Sequence, residues 1–305
     1  MDKKKLFLWS LYDFANSIIY VNFVLYFAVW IVVDKGFSDF SYNLIFAIST
    51  LLLFATAPFL ATRTDRKGGR KLFLNIATIG TFVGYGLTAI LAGLNSDVWF
   101  IALLFLIGQY FYQLAFVFFN PMLEEIADEA YRSRASGIGQ FSSSLGFVAG
   151  IVLAIPFASS RTAPLLPSVL AFFVLALPMM IFYKETKKED ITNLNNIAVK
   201  KLIFTKRTIL TFFSISVATP MLVAFFFFND ALITVSNNYS IYLERVFQMP
   251  DSTKSILLAI VLSMSAFGGI VGGWLGDKIG ALRTLKFNLA GWIILLPLVA
   301  IAQNL

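Results

Sequence analysis

Asp13, Asn16, Ser17 and Tyr20 stand at i, i+3, i+4 and i+7, a spacing that puts all four on one face of a helix. They lie inside an apolar run that starts at about Leu6 or Leu8 and reaches Val33. Asp230, Thr234, Asn237 and Asn238 repeat the arrangement in a later run, Pro220 to Leu243. At 1.5 Å per residue both aspartates sit roughly 10–15 Å from the starts of their runs. If the runs cross a bilayer, each carboxylate costs at least ~2.5–3.5 kcal/mol to place, so it must face a partner or a watery cavity. Its chemistry there is narrow: it can carry a proton, bind a cationic group, or brace a neighbouring helix. Gln109 and Gln113 share a face of another run, with Tyr110, Tyr112 and Asn120 nearby. Neutral amides of this kind bind a polar solute or bridge helices.

A second kind of site is a short block of charge, Asp65-Arg66-Lys67-Gly68-Gly69-Arg70-Lys71, between two apolar runs. Gly273, Asp277, Lys278, Gly280 and Arg283 repeat its order of aspartate, base, spacer, glycine and base. An aspartate on such a turn can meet the free N–H groups and positive dipole end of a neighbouring helix. The glycine permits a tight turn with positive φ, and the arginines can reach acids on adjacent loops. Candidate partners in the loop after the fourth run are Glu124, Glu125, Asp128 and Glu129, with Arg134 beside them. The functional reading is a clamp that closes one membrane face in one state and breaks in the other. The plainer reading is a solvated basic turn that only sets topology.

The elements that must hold these residues are membrane spans. The chain is 58% hydrophobic and 13% charged, against about 45–50% and about 25% in soluble domains. It has no cysteine and no histidine, which removes disulfides and every Cys/His metal motif. No cofactor, metal site or enzymatic nucleophile is expected.

Nine spans are expected: Leu6 or Leu8 to Val33, Tyr42 to Ala61, Leu72 to Leu94, Val98 to Asn120, Ala135 to Ala158, Pro164 to Tyr183, Pro220 to Leu243, Thr253 to Gly276 and Leu285 to Ala302. Residues 1–183 read as an N-terminal six-helix half and 184–219 as a charged linker, with Leu202 to Thr219 an interfacial helix or an extension of the linker. Residues 220–305 read as an incomplete C-terminal half of three spans. The aspartates of the two charged blocks lie 212 positions apart, so the repeat is a duplicated half and not a solenoid unit. Twenty of the 24 Lys and Arg residues fall on the segments that share a side with the N-terminus. That asymmetry predicts a cytoplasmic N-terminus. It also explains the net charge of +7 without nucleic acid.

Small residues recur at helical spacing in three spans: Gly80, Gly84 and Thr88; Gly139, Ser143, Gly146 and Gly150; Ser265, Gly269 and Gly273, with Gly268, Gly272 and Gly276 alongside. Such stripes let backbones approach closely. The 33 phenylalanines read as lipid-facing and packing surface.

The first charged block resembles the major facilitator superfamily signature Gly-x-x-x-Asp-Arg-x-Gly-x-Arg-Arg/Lys. Asp65, Arg66, Gly68, Arg70 and Lys71 match it, while Ala61 replaces the leading glycine and Arg63 stands where an apolar residue is usual. Three stretches are similar to the autophagy-type vacuole-effluxer branch and its bacterial relatives. They are Tyr12-Asp13-Phe14-Ala15-Asn16-Ser17, Phe119-Asn120-Pro121-Met122-Leu123-Glu124-Glu125-Ile126 and Asn229-Asp230-Ala231-Leu232-Ile233-Thr234. Ala231 departs from that branch, which has glycine there.

The resemblance implies an all-α bundle of two pseudo-repeated halves that works by alternating access. Its pathway would be lined by spans 1, 4, 7 and 10 of twelve. Asp277 would meet the start of span 5 near Ala135 to Ile138, and Asp65 a span beyond the nine. With nine spans of twelve and an end nearly flush with an apolar run, the chain reads as C-terminally truncated. The expected function is a secondary transporter of a small polar, amino acid-like solute in a bacterial-type plasma membrane, with proton coupling open. An efflux permease for amphipathic organics and a non-transporting scaffold or remnant stand as alternatives. The expected partners are the lipid bilayer, the solute and, if coupled, protons.

Overall fold

A computed structural model describes residues 2–157, 159–185 and 218–301. Of the expected interfacial helix at Leu202 to Thr219, residues 202–217 lie outside them, as does most of the linker.

The described residues form a helical bundle with no strand among them. Its long helices are α1 (Lys3–Asn22), α2 (Asp39–Lys67), α3 (Arg70–Gly93) and α4 (Val98–Phe119). After a four-residue turn of helix, α5 (Leu123–Ile126), come α6 (Glu129–Ala154) and α7 (Leu165–Phe182). The later helices are α8 (Ala218–Phe247), α9 (Asp251–Ile279) and α10 (Ala281–Ile301). These nine long helices overlap the nine expected spans, and seven of the described segments are long and apolar enough to cross a membrane. Helices are what a bilayer demands, because every backbone N–H and C=O must find its partner within the segment.

Two boundaries differ from expectation. The stretch Pro121 to Arg134, expected as a polar loop, is mostly helical, and α6 begins at Glu129 instead of Ala135. The first charged block is not an open turn either. α2 runs through Asp65 to Lys67, leaving only Gly68 and Gly69 between helices. Both glycines have positive φ, +69° and +88°, a region that costs glycine nothing. The second block repeats this: α9 ends at Ile279, and Gly280 turns the chain at φ +91°. The duplicated glycines therefore mark duplicated helix ends.

α1 is the central helix. Some 89% of its span is buried, against 11% for α2 and 11% for α9. It packs on α6 and α7, while α3 packs on α4 and α7, and α2 on α4. Its sequence suits that place, since Asn16, Ser17 and Asn22 are polar and fully enclosed. Asn22 Nδ2 donates to Gly150 O on α6 at 2.9 Å. By contrast α2 turns Phe40, Leu51, Phe54 and Phe59 outward, as a lipid-facing surface requires. α1 is extended by two wider turns, Phe23–Phe27 and Trp30–Asp34, in which N–H groups reach back five residues. Such π-type turns are uncommon and gather at functional places.

The glycine stripes separate into two kinds. On α6, a Cβ at Gly139 would strike the Trp9 ring at 2.3 Å, and one at Gly146 would strike Phe14 O at 2.3 Å. Gly84 and Gly108 bring α3 and α4 equally close. On α9, Gly268, Gly272 and Gly276 face open space, and Gly269 has only ordinary contact with Gln140.

Candidate functional site

The basic segments Lys3–Lys5, in the first turn of α1, and 65–71, where α2 meets α3, lie at one end of the bundle, called here the basic end. A cavity of about 530 Å³ occupies that half. Asp13, Asn16, Ser17 and Tyr20, which share one face of α1, all line it. α4 contributes Tyr112, Phe116 and Phe119, and α6 contributes Ser136, Gln140 and Ser143. Asn120 and Leu123, from the similar stretch that begins at Phe119, complete the mouth. Two stretches more than a hundred positions apart in sequence thus meet. Trp9 stacks on Phe119 with centroids 4.7 Å apart, and its Nε1–H donates to Phe119 O at 3.2 Å. Ser17 bonds Ser143 across the α1–α6 seam at 2.7 Å.

Other expected pathway residues lie elsewhere. Gln109 accepts a hydrogen bond from Tyr85 and ties α4 to α3. Gln113 donates to Ser49 Oγ at 3.2 Å and accepts from Thr50 Oγ1 at 3.2 Å, tying α4 to α2. Neither lines the cavity; both bridge helices. On α8 only the far part of the polar face is engaged. Asn237 accepts from Tyr20 OH at 3.1 Å, while Asp230 and Thr234 are exposed and outside the cavity. The reason is position along the helix: α1 and α8 approach each other beyond Tyr20, and Asp230 lies two turns short of that contact.

The charged block forms its cluster within the N-terminal bundle. Arg70 is buried and pairs with Asp65 and, at 3.6 Å, with Glu125. Glu185, which the sequence reading passed over, accepts from the backbone N–H groups of Gly69, Arg70 and Lys71 at 2.9, 3.1 and 3.3 Å. It thereby caps α3, where orphan N–H groups and the helix dipole favour an anion. Lys71 Nζ donates to Ile181 O at 3.0 Å. Glu124, Arg134, Lys278 and Arg283 are exposed. The side chains of Arg66 and Asp277, and the surroundings of Gly273, lie outside the described residues.

The least expected feature is at the opposite end. Arg161, in the loop before α7, reaches three carboxylates: Asp34 at 2.5 Å, Glu244 at 2.9 Å and Asp251 at 2.9 Å. Lys254, whose side chain is 1% exposed, holds the second oxygens of Glu244 and Asp251 at 2.6 and 2.5 Å. Arg245 pairs with Asp39 beside them. Asn43 and Asn238 exchange reciprocal amide bonds of 3.1 and 3.0 Å, and Ser240 donates to Leu25 O at 2.8 Å. This set ties α1 and α2 to α8 and α9 at that end. A sequence signal did exist. Of the four bases on that side, Lys35, Arg161, Arg245 and Lys254, three are in this clasp.

The charges around Glu244 set the sign of the clasp's expected pH dependence. Partial burial alone would raise the Glu244 carboxyl, but Lys254 and Arg161 outweigh it and hold it below the usual glutamate range. A depressed carboxylate stabilises the folded contact fully above its unfolded value of about 4.3. The contribution is lost as pH falls through the lower, folded value. The clasp is therefore expected to be intact at pH 7 and to open in acid below about pH 4. Thermal unfolding followed between pH 7 and pH 3 checks this, and Glu244→Gln should flatten the profile.

A family model described as Major Facilitator Superfamily matches residues 10–305. No curated protein matches the chain.

Proposed function

This chain belongs to the major facilitator superfamily, a family of secondary transporters, and from that premise we propose that it carries a small polar, amino acid-like solute by alternating access through the cavity at Asp13. It is a multi-pass integral membrane protein. Residues 1–183 and 220–305 act as the two moving halves, with 184–219 as their linker. The N-terminus faces the cytoplasm of a bacterial-type plasma membrane, in keeping with the basic residues gathered at that end. The observation that carries the reading is the pairing of a polar cavity in one half of the bundle with an ionic clasp across the other. A carrier needs a site reachable from one side while the other is shut. Two of the three stretches similar to the vacuole-effluxer branch line that cavity, which supports placing the chain in that branch.

Proton coupling belongs to Asp13. Among the described residues it is the one carboxylate that lines the cavity, and the other titratable groups there are the phenols of Tyr20 and Tyr112. α6 offers only hydroxyl and amide groups, from Ser136, Gln140 and Ser143. The test is flux in proteoliposomes with a panel of tritiated amino acids and amines. With one proton moved per solute, a one-unit pH gradient supports a concentration ratio of up to about tenfold, since one unit is worth about 1.4 kcal/mol. Asp13→Asn is expected to reduce that ratio to about one. An unchanged pH-driven ratio in Asp13→Asn would sink the coupling, and no flux of any panel member in the wild type would sink the transport reading.

A further inference from the structure

We infer that the solute held in this cavity is a net cation, an organic amine without a carboxylate, bound by Asp13 among aromatic rings. The inference rests on the transport reading and, within its small polar solutes, replaces the amino acid-like one with an amine that lacks the carboxylate.

Charge is the first argument. Asp13 lines the cavity, and no lysine or arginine does among the described residues. A zwitterion could pair its ammonium with Asp13. Its own carboxylate would then leave water for a wall with no cation among the described residues, close to a like charge, and an unpaired buried charge is the costliest group to place. A simple anion fares worse. An amine needs only what is present.

The walls give the second argument. Trp9, Tyr20, Tyr112, Phe116, Phe119 and Phe147 surround the carboxylate face. Tyr20 and Tyr112 lie near-parallel at 6.1 Å, and Phe147 meets Tyr20 edge-on at 6.0 Å. Ring faces are negative and attract ammonium groups, more strongly when water is excluded. They also cover the hydrocarbon part of an amine.

Third, an acceptor is left over. Asn16 is 1% exposed, and its Nδ2 donates to Tyr12 O at 2.8 Å. A carbonyl only accepts, so this bond fixes which end of the amide faces it. Asn16 Oδ1 is then buried with no partner, one turn from Asp13. A carboxylate with a buried, unsatisfied amide oxygen one turn away favours a donor-rich group over a further acceptor, and an ammonium brings up to three N–H bonds. The volume, about 530 Å³, suits a small organic molecule.

The test uses three compounds that share a phenyl ring and differ in charge: 2-phenylethylammonium, phenylalanine and phenylacetate. Binding to the full chain in detergent is measured by titration calorimetry. The amine is expected to bind at least about tenfold tighter than either of the others, a difference of about 1.4 kcal/mol. Asp13→Asn is expected to abolish the preference and Asp13→Glu to keep it. Equal affinities for amine and zwitterion, binding of none of the three, or an amine preference that survives in Asp13→Asn would overturn the inference. The wild-type series alone decides the charge question, even if a variant fails to fold. Amine binding without flux in liposomes would instead count against transport and leave the charge inference standing.

Discussion

Arg161→Ala is expected to release the clasp and shift the protein toward the state open at the end away from the basic loops. One guanidinium serves three carboxylates from three segments. Removing it leaves Asp34, Glu244 and Asp251 facing one another with only Lys254 between them, so attraction gives way to repulsion. Breaking a buried pair costs about 3–5 kcal/mol and an exposed one about 0–1. The Arg161 side chain is 19% exposed, so about 2 kcal/mol is a reasonable expectation after solvent screening, or roughly a thirtyfold change in the closed-to-open ratio. Arg161→Lys should fall between, because an ammonium cannot span the three-way fork. The chain has no cysteine, so Ser160→Cys with Gln248→Cys gives two unique spin-label sites beside the clasp. The short-distance population should dominate in the wild type and shrink in Arg161→Ala. No change would mean that the clasp does not hold this end shut.

Gly146→Leu is expected to disrupt the N-terminal bundle outright. The added Cβ would sit 2.3 Å from Phe14 O and 2.9 Å from Phe14 Cα, backbone atoms of the central helix that cannot move aside. Overpacking a core usually costs about 1–3 kcal/mol, and here no flexible side chain can absorb it. The helices would have to part along the whole α1–α6 seam, where Ser17–Ser143 and Asn22–Gly150 are bonded. Gly268→Leu on α9 is the matched control, since nothing lies within 4 Å of its Cβ position. Melting temperature and monodispersity in detergent should collapse for the first and barely change for the second.

That contrast shows where sequence reasoning reached and where it stopped. Periodicity and apolar length were enough for nine helices, because a bilayer leaves the backbone no other solution. The face Asp13, Asn16, Ser17, Tyr20 was legible for the same reason: i, i+3, i+4, i+7 fixes direction once the helix is granted. Periodicity does not say which neighbour a stripe meets. The glycines of α6 and α9 look alike in sequence, yet Gly139, Gly146 and Gly150 abut α1 while Gly268, Gly272 and Gly276 face open space. Asp13 and Asp230 match in register but differ in surroundings, because only α1 is central. The clasp was legible only in part. The scarcity of bases on that side pointed to Arg161, Arg245 and Lys254, and Asp251 with Lys254 is a local i, i+3 pair, but the pairings of Arg161 with Asp34, Glu244 and Asp251 join distant segments and carry no local pattern. The aromatic wall was hidden by abundance: among 33 phenylalanines, spacing cannot separate Phe116, Phe119 and Phe147, which line the cavity, from those turned outward.

The central claim is that one cavity is reached from one membrane side at a time, with the clasp deciding which. Gln140→Cys places a single thiol on the cavity wall of an otherwise cysteine-free chain. A membrane-impermeant maleimide is then added from each side of oriented vesicles. The account predicts labelling from the side of the basic loops alone in the wild-type background, and new labelling from the opposite side once Arg161→Ala is added. Labelling from both sides at equal rates without that change, or a pattern that Arg161→Ala leaves untouched, would contradict it.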